Sequence, residues 1–77
     1  MSADIPLDTE GQVYFGRRVR ELREAAGLTQ EQLAQMVGMA QTRLPAIEQG
    51  QRDMHLSTMR RFARALGVPL RELLPPD

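Results

Sequence analysis

An all-α domain of five short helices is the fold this chain predicts, and three observations carry the reading. Apolar residues recur three and four apart in successive segments; glycines stand just past the ends of those segments; and Thr29 with Gln32 forms a pattern that opens a helix.

Residues 1–12 hold acids, a proline and little periodicity, and read as a flexible N-terminal arm. From Val13 to Ala26 the positions Phe15, Val19, Leu22 and Ala26 define the first helix, and Gly27 can take the left-handed conformation that closes it. Thr29 opens the second: its hydroxyl can accept a first-turn N–H while Gln32 reaches back, a capping box. Leu33, Ala34 and Val37 give that helix one apolar stripe, and Gly38 breaks it. The third segment, Gln41 to Gln49, carries Leu44 and Ile47 on its buried side, leaving Gln41, Thr42, Arg43 and Ala46 outward. Gly50 to Met54 is a polar loop. Leu56, Met59, Phe62, Ala63 and Leu66 form the stripe of a fourth helix, closed by Gly67. Pro69, whose missing N–H is no loss in a first turn, opens a last short helix over Leu70 to Leu74 with Leu73 in the core. Pro75 and Pro76 stop it. One domain over 13–74 and a tail over 75–77 account for the chain, with no repeat or linker.

Seventy-seven residues make a marginal core that a partner would help. There is no cysteine, hence no disulfide framework and no thiolate metal site. The apolar runs are a few residues long and no basic region precedes one, so neither a signal peptide nor a membrane span is expected, and the cytoplasm is the expected compartment. An enzyme is not expected either. His55 is the single histidine, no paired-histidine metal spacing occurs, and the glycines form no phosphate cradle, so no cofactor or metal is called for.

Ten arginines balance ten carboxylates, with a pI near 6.6, where a nucleic-acid binder is usually basic. The distribution matters more than the sum. Asp4, Asp8, Glu10 and Asp77 fall in the expected tails, whereas nine arginines face five acids between Arg17 and Arg64, a body near +4. Helical spacing pairs Arg17 with Glu21 and Arg20 with Glu24.

Two short helices across a tight glycine turn, Gly27 to Gly50, are a helix-turn-helix. The order Gly27-Leu28-Thr29-Gln30, Leu33-Ala34, Val37-Gly38, Ile47-Glu48 and Gly50, continuing to Leu66-Gly67-Val68 and Leu73-Leu74, resembles the lambda-type phage repressor and Cro family, which includes bacterial regulators of the xenobiotic-response-element type. The resemblance implies a compact domain that docks its third helix in the major groove of double-stranded DNA, as a homodimer on an inverted-repeat operator. It places Gln30 on a phosphate at the start of the second helix, Gln41 and Thr42 on base edges, and Arg43 on guanine or phosphate. Ala46 faces the groove as well. Gln49, Gln51 and Arg52, beside His55, fall where the family meets phosphates. Arg23 and Glu48 match its structural ion pair, and Leu70 and Leu74 are the expected dimer contacts.

Two positions depart from the family. Ala40 stands where a serine or threonine usually caps the third helix, and it cannot accept the capping bond. Pro45 would break a helix begun at Gln41, so the helix is expected to start late, with Thr42 as cap and Pro45 in the first turn. A shortened reading surface leaves open a second use of the fold, a protein-interaction module.

Overall fold

The computed structural model describes residues 8–76. Among them are four α-helices and two 3-10 turns: α1 (Thr9–Ala25), α2 (Gln30–Val37), a turn over Gln41–Arg43 that runs into α3 (Leu44–Glu48), α4 (Leu56–Leu66) and a closing turn over Leu70–Leu73.

α1 begins four residues before Val13. The Asp8 side chain accepts the Gly11 N–H at 2.7 Å, and Glu10 lies in the first turn, where a carboxylate suits the positive end of the helix dipole. Asp8 and Glu10 therefore belong to the domain and not to a tail; of the arm expected over 1–12, residues 1–7 lie outside the described residues. The rest of α1 buries Phe15, Gly16 and Val19. α2 opens with the expected capping box, Thr29 Oγ1 accepting from Gln32 N at 3.0 Å and Gln32 Oε1 from Thr29 N at 2.8 Å, and ends at Gly38 with φ +86°.

The core joins Phe15 and Val19 of α1, Leu33, Ala34 and Val37 of α2, Leu44 and Ile47 of α3, Met59, Phe62 and Ala63 of α4, and Leu73. Phe15 and Phe62 meet edge to face, centroids 5.6 Å apart, the geometry that aromatic quadrupoles favour. Met54 is buried too, so the segment after Gly50 is a polar loop pinned by one apolar anchor. α1 and α3 approach so closely that a Cβ on Gly16 would stand 2.2 Å from the Ile47 carbonyl oxygen.

The last element is a 3-10 turn in place of the expected helix over Leu70–Leu74. Glu72 N bonds Pro69 O at 3.0 Å and Leu74 N bonds Arg71 O at 3.3 Å, both three residues back. Leu74 is already extended, at φ −110° and ψ 145°, because the ring of Pro75 disfavours the helical conformation in the residue before it. Arg18 ties this turn to α1, its Nε donating to Glu72 O at 3.0 Å. Glu21 pairs with Arg18 at 3.1 Å instead of with Arg17, which lies over the Tyr14 ring; Arg20 and Glu24 pair as expected, at 3.6 Å.

Candidate nucleic-acid interface

The third helix of the sequence reading is a composite. Ala40 is extended, and Arg43 N bonds its carbonyl at 3.1 Å to start the 3-10 turn over Gln41, Thr42 and Arg43. Leu44 N then bonds the Gln41 carbonyl, and α3 follows with Pro45 in its first turn. The tighter turn resolves the proline problem. The Gln41 carbonyl, which a helix would have offered to the nitrogen of Pro45, is already taken by Leu44. Pro45 thus sits as expected, but Thr42 is not the cap: Arg43 occupies the N-cap position, without a side-chain bond.

Buried Leu44 and Ile47 hold this short segment to the core, and Gln41, Thr42, Arg43, Pro45 and Gln49 are exposed around it. Ala46 is half-buried, less outward than the spacing implied. Gln49 ends α3, and Gln51 and Arg52 are exposed in the loop that follows. His55 is an exposed helix-start residue at the N-cap of α4.

Two recesses flank α3. One, of about 170 Å³, brings Gln30 and Gln49 together with Arg20, Pro45 and the ion pair of Arg23 and Glu48. The other, of about 350 Å³, brings Arg43 and Arg52 together with Ala40, His55 and Arg61. Of the residues singled out in the sequence, Gln30 and Gln49 line the first and Arg43 and Arg52 the second, whereas Gln41, Thr42, Ala46 and Gln51 line neither of these two.

The ion pair sits behind this surface. Arg23 Nε stands 2.7 Å from Glu48 Oε2, and Nη2 stands 3.1 Å from Oε1, a two-point contact with side chains only 12% and 5% exposed. Arg23 Nη1 also donates to Leu28 O at 2.9 Å. The hydrogen bond to Glu48, with its charge, holds the Arg23 guanidinium above its ordinary pKa, although burial pulls the other way. Gln30 joins the same network, its Nε2 donating to Glu48 Oε1 at 3.1 Å. That bond was not visible in the sequence. It leaves Gln30 with one amide N–H and its carbonyl to offer outward.

Leu70 and Leu74 are half-buried, packed against the core edge at either end of the closing turn. Sequence reading also passed over Arg61. Its Nη2 donates to the carbonyls of Val37 and Gly38, closing the C-terminal end of α2 from α4. No helix among the described residues is long and apolar enough to cross a membrane.

The helix-turn-helix domain family matches residues 14–75. The restriction-modification controller protein C.AhdI of Aeromonas hydrophila superposes with a TM-score of 0.77 at 43% identity, over 82% of this chain and 96% of that one. The control protein C.BamHI of Bacillus amyloliquefaciens is 33% identical over 63 residues, 80% of this chain and 78% of its own. The cryptic phage CTXphi transcriptional repressor RstR of Vibrio cholerae is 33% identical over 60 residues, 78% of this chain, which spans 54% of that repressor. With a turn bounded by Gly38, a recognition segment anchored by Leu44 and Ile47, and a family match over nearly its whole length, the chain belongs to the helix-turn-helix domain family, as its resemblance to the lambda-type repressors and Cro implies.

Proposed function

We propose that the protein is a sequence-specific DNA-binding transcription regulator, a small cytoplasmic homodimer that represses or controls a promoter by occupying a short inverted-repeat operator. The observation that carries this reading is the exposed row Gln41, Thr42 and Arg43, presented at the front of a segment fixed to the core from behind. In the major groove, glutamine can pair with adenine through two bonds, threonine can contact a thymine methyl and arginine can reach guanine. Ala46 lies close behind them. Gln30 at the start of α2, with Gln49, Gln51 and Arg52, would meet phosphates on either side, positioning the row without reading sequence. Membership of a family that includes named transcriptional repressors and controller proteins supports the same reading. Leu70 and Leu74 are the proposed dimer contacts, and a two-fold axis there would place two recognition segments roughly 34 Å apart, one turn of DNA.

The test is a gel-shift titration against the DNA upstream of the protein's own gene, at several salt concentrations. Expected are saturable binding, preference over a scrambled duplex, and affinity that falls steeply with salt as phosphate contacts release counterions. Gln41→Ala should relax preference at one or two base pairs, whereas Gln30→Ala should weaken all duplexes alike. Equal affinity for promoter and scrambled DNA across the salt range would sink sequence-specific regulation. The brevity of α3 and the exposure of Pro45 favour the second reading, a protein-interaction module, and the absence of any DNA binding in the same titration would select it.

A further inference from the structure

We propose that Arg61 is the positioning residue that sets the register of the DNA-reading turn, supplying from α4 the restraint that a helix cap would supply locally. The inference rests on the role given above to Gln41, Thr42 and Arg43.

The segment between α2 and α3 is lightly tethered at its own termini. Neither Ala40, ahead of the 3-10 turn, nor Arg43, ahead of α3, makes a side-chain capping bond. Met39 N and Gly38 N both bond the Ala34 carbonyl, which closes α2 but leaves the carbonyls of its last residues needing donors. Arg61 supplies one to Val37, the last residue of the helix, and one to its cap, Gly38. One terminal nitrogen, Nη2, reaches Val37 O and, at 3.0 Å, Gly38 O. A cation at a helix C-terminus also complements its dipole.

Gly38 has φ +86°, a conformation that favours glycine, and Arg61 Nη2 lies against it, 2.7 Å from where a Cβ would stand. α4 is itself fixed by buried Met59, Phe62 and Ala63. Met39 before the turn and Leu44 after it pack on the core, while Gln41, Thr42 and Arg43 of the turn itself are all exposed; Arg61 adds a polar tie from α4 at the start of this stretch. Because Arg61 shares a recess with Arg43 and Arg52, a direct phosphate contact is the competing role.

The experiment compares wild type, Arg61→Met, Arg61→Lys and the double variant Arg61→Met with Ala40→Ser. Affinity for the upstream DNA and for a scrambled duplex is measured across salt concentrations. Amide hydrogen exchange of Met39, Arg43 and Leu44 is followed without DNA, against α4 core amides as reference. Arg61→Met should lower the promoter-to-scrambled ratio by about tenfold, the scale of one lost base discrimination, with an unchanged salt slope. Met39, Arg43 and Leu44 should exchange faster while the α4 core does not. Lysine, able to reach a carbonyl with a point charge but without the fork, should fall between. Ala40→Ser, which adds a side-chain acceptor at the cap, should restore part of the ratio.

An unchanged ratio with a salt slope reduced by about 1 would overturn the proposal in favour of a phosphate contact. Exchange that rises equally in the turn and the α4 core would overturn it in favour of general stability. If wild type shows no preference for the upstream DNA, the regulatory reading fails by itself, and the exchange comparison still decides whether Arg61 orders the turn.

Discussion

Replacing Gly16 by alanine tests the close approach of α1 to α3. The added Cβ would stand 2.2 Å from the Ile47 carbonyl oxygen, 2.8 Å from that of Glu48 and 2.9 Å from the Glu48 carbonyl carbon. A relaxed carbon-to-oxygen contact is about 3.3 Å, so α3 would have to withdraw by about 1 Å. Forced overpacking of this kind costs ~1–3 kcal/mol, and the upper end applies because the obstructing atoms are backbone and have no rotamer to escape into. Against this, alanine regains ~1 kcal/mol of helix propensity over glycine. The clash wins, with a net loss of about 2 kcal/mol, which for a domain of this size lowers the melting temperature by roughly 8–16 °C. Thermal unfolding followed by circular dichroism reads it directly. Gly27→Ala is the control: at φ +71° with nothing within 4 Å of its new Cβ, it carries only left-handed strain, about 1 kcal/mol. A Gly16→Ala protein that melts at or above the wild type would refute the α1–α3 spacing and the argument built on it.

Glu48→Ala, which strands the Arg23 guanidinium at 12% exposure, should cost ~3 kcal/mol or more by urea unfolding, and the double variant Arg23→Met with Glu48→Leu should cost less than Glu48→Ala alone; additive losses would show that the pair is uncoupled. Pro45→Ser should change the unfolding free energy measured in urea by less than about 1 kcal/mol, since Pro45 occupies a first turn and only its stiffening of the unfolded chain is lost; a clear rise in melting temperature would mean that the ring strains the helix. Leu74→Glu should convert the proposed dimer to a monomer in sedimentation experiments. A wild type already monomeric at tens of micromolar, binding one half-site as tightly as the full repeat, would remove the dimer.

The elements most legible in the sequence were those whose signals are local. Thr29 and Gln32 form their capping box, Gly38 and Gly67 end their helices, and the stripe from Leu56 to Leu66 faces the core, because each depends on residues within one or two turns. The start of α1 was local as well, in Asp8 and Glu10, but the apolar stripe that drew attention begins only later. What stayed hidden depends on partners distant in the chain. Gly16 is dictated by the carbonyls of Ile47 and Glu48, the burial of Met54 by the core it plugs, and the Arg61 contacts by α2, more than twenty residues away. Among the candidate site residues, exposure of Gln41, Thr42, Arg43, Gln49, Gln51 and Arg52 followed from periodicity and loop position. The bond from Gln30 to Glu48 required the third dimension.

The five-residue length of α3 has a consequence for how such a protein can change. A helix of that length has no stability of its own in water, so its shape is lent by its surroundings, among them the burial of Leu44 and Ile47, the 3-10 turn before it and the ion pair at its end. Within this stretch, the side chains that anchor the segment, Leu44 and Ile47, and those that face outward are different residues, interleaved along the chain. Under the proposed function, substitutions at Gln41, Thr42, Arg43 or Gln49 should alter which duplex is preferred while leaving the melting temperature nearly untouched. A lineage carrying this domain would then drift from one target to another through fully folded intermediates.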